Sequence, residues 1–234
     1  MVFDKNRFLI GLILFFVIGS SFFLKLDIYL YFIILLMVLF DLYKSKFFND
    51  YKNIYFLCTL LFLIPIYIYS EYPTIIISYL TIFSIFVSLF FYSYIKKLFI
   101  LNLCFFLLIF FSIIIENRIF FYLIIFISFF NDTCAYLFGK RIGGPLIIPS
   151  ISPNKTWSGT LISLFLSTIL LYQFNFSFII CLIMSLSLFL GDLYFSFIKR
   201  TLKVKDFSNL LPGHGGILDR MDSIFLITII YSII

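Results

Sequence analysis

Residues 98–115 read LFILNLCFFLLIFFSIII. The run carries no charge and lacks the polar alternation of a barrel strand, so it reads as a transmembrane helix. Apolar stretches of 15 to 20 residues recur along the chain. Of the 234 residues, 63% are hydrophobic and 12% charged, about half the charge of a soluble domain. The expectation is an all-α, polytopic helical membrane protein forming one integral-membrane domain over residues 1–234. Nine spans are expected, at 8–24, 27–43, 54–70, 74–94, 98–115, 119–138, 159–174, 176–197 and 221–234. The last is short for a bilayer, so the loop before it is expected to dip into the membrane. Residues 1–115 are expected to supply packing and lipid-facing helices, and residues 119–234 the chemistry.

Charge sets the orientation. With the N-terminal tail numbered zero, the tail and the even-numbered connections hold fifteen of the 17 Lys and Arg residues; only Lys25 and Arg118 fall on the other side. The positive-inside rule then makes the N-terminus cytoplasmic, together with the connections 139–158 and 198–220, and puts the C-terminus outside. Lys5 and Arg7 precede an apolar run without a small-residue cleavage site, which reads as a first span and not a cleaved signal. Cys58, Cys104, Cys134 and Cys181 lie apart in apolar segments, as buried free thiols do. Ala135 is the only alanine among abundant Phe, Ile, Lys and Asn, the bias of an AT-rich genome.

Against this background residues 196–222, SFIKRTLKVKDFSNLLPGHGGILDRMD, stand apart. They bring Lys199, Arg200, Lys203, Lys205, Asp206, His214, Asp219, Arg220 and Asp222 into 27 residues. The cations suit a polyphosphate, the carboxylates suit a hard metal ion, and Gly213, Gly215 and Gly216 let backbone N–H groups approach an anion. Asp219 and Asp222 share a face if both lie on the first turn of the last helix; they then read as a Mg2+ site or as helix-end acids. Asp192, within an apolar span, reads as a metal or proton site, or as a partner of Lys199 or Arg200. His214, the sole histidine, reads as catalytic or as a structural loop residue. Upstream, Asp132 with Ala135, Tyr136 and Gly139 ends a span. Lys140 and Arg141 follow, then Ser152, Lys155 and Thr156, which read as an interfacial loop or a second phosphate site.

Taken together these residues resemble the phosphatidate cytidylyltransferase (CDP-diacylglycerol synthase) family. Its signature is matched by Ser196, Lys199-Arg200, Lys205-Asp206, Pro212-x-His214-Gly215-Gly216 and Asp219-Arg220-x-Asp222. Three positions depart from it: Ser158 and Phe195 stand where the family usually has Glu, and Gly144 where it usually has a basic residue. The resemblance implies that CTP and phosphatidic acid give CDP-diacylglycerol and pyrophosphate at a site facing the cytoplasm from the plasma (inner) membrane.

It further implies Mg2+, or two cations, held by Asp192, Asp219 and Asp222. Lys199, Arg200, Lys205 and Arg220 would neutralise the triphosphate, and the His214-Gly215-Gly216 backbone would hold phosphate oxygens. Ser152, Lys155 and Thr156 would meet the lipid phosphate with help from Lys140, and Asp132 and Asp206 complete the substrate-binding set. A homodimer follows by analogy with the family, and no nucleic-acid partner is expected. The alternatives are a cytidylyltransferase for another lipid phosphate and an ion-coupled transporter; the five-cation loop with its glycine turn speaks against the transporter.

Overall fold

The computed structural model describes residues 5–44, 73–91, 94–210 and 215–234. The expected third span (54–70), Cys58, Pro212, Gly213 and His214 lie outside the described residues. Eight helices are present among those described: α1 (Lys5–Leu24), α2 (Asp27–Lys44), α3 (Pro73–Phe90), α4 (Ile95–Glu116), α5 (Arg118–Ile142), α6 (Trp157–Tyr172), α7 (Phe178–Thr201) and α8 (Asp222–Tyr231). Three of them, α4, α5 and α7, are long and apolar enough to cross a membrane.

The helices turn small hydroxyl residues inward and large apolar ones outward. On α3, Ser78, Thr81, Ser84 and Ser88 are buried against the protein, while Ile76, Tyr79, Phe83 and Phe86 are exposed. On α6, Thr160, Ser163, Ser167 and Thr168 face inward, and Leu161, Phe165 and Ile169 outward. A bilayer favours this arrangement: lipid receives the large apolar groups, and small residues let helices approach. These outward faces fit a membrane protein.

Helices α5 and α6 approach each other closely. A methyl group on Gly159 would lie 2.4 Å from the Ala135 carbonyl and 2.8 Å from the Gly139 Cα. Ala135 and Gly139, read in the sequence as part of a chemical motif, therefore also serve a helix crossing. Gly159→Ala is expected to destabilise the protein by about 1–3 kcal/mol through overpacking. Gly19→Ala, whose new methyl meets nothing within 4 Å, should melt as the parent does; a thermal melt of both variants in detergent checks this.

The connection 139–158, expected as a loop, is partly ordered. Helix α5 continues through Lys140 and Arg141, whose positive charges suit a helix C-terminus. An antiparallel hairpin follows, β1 (Leu146–Ile148) with β2 (Ser152–Thr156), pairing Ile148 with Ser152 and Leu146 with Thr156. Thr156 then caps α6, its Oγ1 accepting from Gly159 N at 3.3 Å.

Phe99, Phe106, Phe110, Phe121, Phe195 and Phe225 are fully buried. Phe195 lies with its ring centroid 5.2 Å from Phe99 and 5.3 Å from Phe225. Phe195, where the resemblance implied a Glu, is thus a core aromatic. Tyr194 beside it ties three helices together, its hydroxyl taking Asn102 Nδ2 at 3.0 Å and Ser88 Oγ at 3.3 Å. Cys104, Cys134 and Cys181 are free thiols.

Candidate functional site

Helices α5, α7 and α8 deliver the acids. Gly191 of α7 lies so close to α8 that a methyl group there would sit 2.5 Å from the Asp222 carbonyl. That contact sets Asp192 next to the start of α8. From α5, Ser128 Oγ meets Ser223 Oγ at 2.6 Å, fixing α8 from the other side. Asp132, one turn further along α5, lies in the field of Asp222.

Asp192 is paired with Lys155 of the hairpin, not with Lys199 or Arg200 as its neighbourhood in sequence suggested. Ser196 Oγ donates to its other oxygen at 3.4 Å. Lys155 also sits in the fields of Asp222 and Asp132; burial lowers its pKa, those two carboxylates oppose the shift, and Lys199 adds to it.

Asp219 precedes α8 and is not on its first turn, so it does not share a helix face with Asp222. Its carboxylate organises the loop before it. Oδ1 accepts from Lys199 Nζ at 2.9 Å, and Oδ2 from the N–H groups of Phe207 at 3.0 Å and Gly216 at 2.9 Å. Gly215, at φ 82°, takes the left-handed turn that wraps the chain around that carboxylate. Lys199 also lies 5.7 Å from the Phe207 ring centroid, and Asp222 feels both Lys199 and Asp219.

The structure therefore gathers Asp132, Lys155, Asp192, Lys199, Asp219 and Asp222, with Arg220 in the field of Asp132. Other expected residues lie at the edge. Arg200 is exposed and its Nε donates to the Ile151 carbonyl at 3.0 Å, tying α7 to the hairpin. Lys205 and Asp206 are exposed after α7, and Lys140 is exposed with its Nζ over the Tyr136 ring. Ser152 pairs with Ile148 in the hairpin and does not line the pocket described next. Ser158, at the other departure from the family pattern, donates to the Gly143 carbonyl.

Two hollows meet at this cluster. A polar pocket of about 230 Å³ is lined by Asn131, Asp132, Lys155, Thr160, Ser163 and Asp192, among others. An apolar groove of about 770 Å³ runs between α1 and α5, past Ile18, Phe22, Ile125 and Phe129, and reaches Arg220. Asp132 and Tyr136 line both. Asn131, Thr160 and Ser163 were not read from the sequence as site residues; polar side chains on the facing sides of α5 and α6 were the available signal.

Among the described residues no three His, Cys, Asp or Glu side chains cluster so as to hold a metal ion by themselves. Mg2+ does not require that, since it binds through one or two carboxylates completed by phosphate oxygens and water. Asp192 and Asp219 carry the hard carboxylate oxygens such an ion takes, each paired with a lysine.

The model of the cytidylyltransferase family matches residues 5–234. The phosphatidate cytidylyltransferase of Rickettsia bellii (strain RML369-C) is 42% identical over 112 residues, covering 41% of this chain and 48% of the relative. That of Staphylococcus aureus (strain COL) is 44% identical over 118 residues, covering 46% and 45%. The enzyme of Rickettsia conorii is 38% identical over 115 residues, covering 42% and 50%. The chain spans about half the length of the relatives it matches.

Proposed function

The chain belongs to the cytidylyltransferase family, and from that membership we propose that it transfers a cytidylyl group from CTP to phosphatidic acid, giving CDP-diacylglycerol and pyrophosphate in phospholipid biosynthesis. The observation that carries this reading is the wall shared by the polar pocket and the apolar groove at Asp132 and Tyr136. A substrate with an anionic head and an apolar tail suits such a pair of hollows.

An oxygen of the lipid phosphate attacks the α-phosphorus of CTP, and the bond from that phosphorus to the β-phosphate oxygen breaks. Both partners are anions, so charge neutralisation and in-line placement are the main demands. Lys155, Lys199, Arg200, Lys205 and Arg220 supply positive charge, and the Gly215 backbone would hold a phosphate oxygen with His214, the Gly216 N–H being given to Asp219. Asp192, Asp219 and Asp222 would hold Mg2+, which when bound neutralises charge across the phosphates. Lys155, in a partly exposed pair with Asp192, can turn to phosphate oxygens without leaving the site, while Lys199 stays on Asp219 and acts through its charge. No general base is needed, because the lipid phosphate is already ionised at neutral pH. The acyl chain lies along α1 and α5, with Arg220 at the headgroup.

The same reading includes nine spans, a cytoplasmic N-terminus and site, a place in the plasma (inner) membrane, and a homodimer. In support, Arg118 pairs with Asp27 at the end of α2 remote from Asp41, among the residues expected outside.

Purified protein with phosphatidate vesicles and labelled CTP should make CDP-lipid, and chelating the divalent metal should stop it. Polyprenyl phosphate in place of phosphatidate should give little product. Transfer to polyprenyl phosphate alone would reassign the lipid, and metal-independent transfer would remove the metal from the site.

A further inference from the structure

Helix α2 belongs to the half of the chain whose sequence carries no chemical motif, yet it buries a carboxylate at each end. Asp27 pairs with Arg118 and accepts from the Tyr122 hydroxyl at 2.5 Å. Asp41, fully buried, instead reaches the signature segment. Its Oδ1 accepts from Ser208 Oγ at 2.5 Å, and its Oδ2 from Leu218 N at 3.0 Å. Ser208 Oγ in turn accepts from Leu210 N at 3.1 Å. A methyl group on Gly216 would lie 2.3 Å from Asp41 Oδ2 and 2.9 Å from Ser208 Oγ. Asp41 therefore requires a glycine at this position.

The loop is thus held from two sides: Asp219 grips Phe207 and Gly216 from within, and Asp41 grips Ser208 and Leu218 from α2. A carboxylate in an apolar helix is unfavourable unless it is fully hydrogen-bonded. Asn could replace only part of this network, because its Nδ2 donates and cannot accept from the Leu218 N–H or the Ser208 hydroxyl.

We propose that Asp41 is a positioning residue which sets the two flanks of the glycine turn, 207–210 and 215–218, in register with Lys199 and Asp219. This rests on the cytidylyltransferase reading, because the loop is taken to hold the triphosphate. Asp27, similarly buried on the same helix but remote from the loop, is the internal control.

The test compares Asp41→Asn, Asp27→Asn and the parent protein in detergent, by kinetics and by amide hydrogen exchange. Asp41→Asn should raise the KM for CTP about tenfold or more, while the KM for phosphatidate stays within twofold. Exchange over residues 207–210 and 215–218 should quicken, with α4 and α7 unchanged. Asp27→Asn should lower the melting temperature and leave both KM values within twofold.

The proposal is overturned if folded Asp41→Asn keeps the parent's CTP KM, or if Asp27→Asn raises that KM equally. Parental exchange over 207–210 and 215–218 in Asp41→Asn also overturns it. Should the parent make no CDP-lipid at all, the functional reading fails, while the exchange result alone still decides whether Asp41 holds the loop.

Discussion

Asp192→Asn is expected to lower CDP-lipid formation by about a hundredfold to a thousandfold, the range seen when one charged or hydrogen-bonding group is withdrawn from a preorganised site. The substitution keeps the size of the side chain and removes one negative charge. In α7 that charge holds Lys155 and accepts from Ser196 Oγ, in a wall shared with Asp132 and Thr160. The side chains of Lys155 and Asp192 retain 25% and 18% of their exposure, so Lys155 can reach water once the pair is broken. The stability cost of a partly exposed pair is small, about 1 kcal/mol. A melt close to the parent's, combined with lost turnover, is therefore expected. Turnover within tenfold of the parent would remove Asp192 from the chemistry.

Lys199→Met should act mainly on the fold. Lys199 is nine-tenths buried, and only 4% of the Asp219 side chain is exposed. Met fills the space of the lysine stem and leaves Asp219 with two backbone N–H groups and no cation, and Asp222 without its nearest-acting lysine. Breaking a buried pair from one side costs about 3–5 kcal/mol, enough to lower the melting temperature sharply. Lys199→Met combined with Asp219→Asn removes the stranded charge and should recover much of that loss without restoring CDP-lipid formation. If Lys199→Met melts like the parent, the pair does not support the loop.

Much of the helical layout was legible because the bilayer imposes length and hydropathy on each helix. The sixth and eighth spans, read at 119–138 and 176–197, correspond to Arg118–Ile142 and Phe178–Thr201. Both helices outrun their apolar stretches by the last turn, where Lys140-Arg141 and Lys199-Arg200 suit the helix C-terminus. The hairpin was hidden by Pro145, Pro149 and Pro153, which read as loop. The resemblance drawn from Ser196 to Asp222 is borne out by the family match over residues 5–234.

Pairings were harder to read. Periodicity relates residues three or four apart, whereas Lys155–Asp192 spans 37 residues and Ser208–Asp41 spans 167. Asp41 had left a signal of its own kind, a carboxylate inside an apolar helix. Without the fold, nothing connected it to a loop far along the chain. Asp219 looked like a helix residue by its spacing from Asp222, but the turn it stabilises ends before α8 begins.

The central claim is that a lipid phosphate oxygen attacks the α-phosphorus of CTP. It is tested most directly with phosphatidate whose three free phosphate oxygens carry 18O, incubated with CTP and the purified protein, and mass spectrometry of both products. The account predicts CDP-diacylglycerol that retains all three labels and pyrophosphate that carries none. Label in pyrophosphate or in released inorganic phosphate, or consumption of CTP without a labelled CDP-lipid, would contradict it.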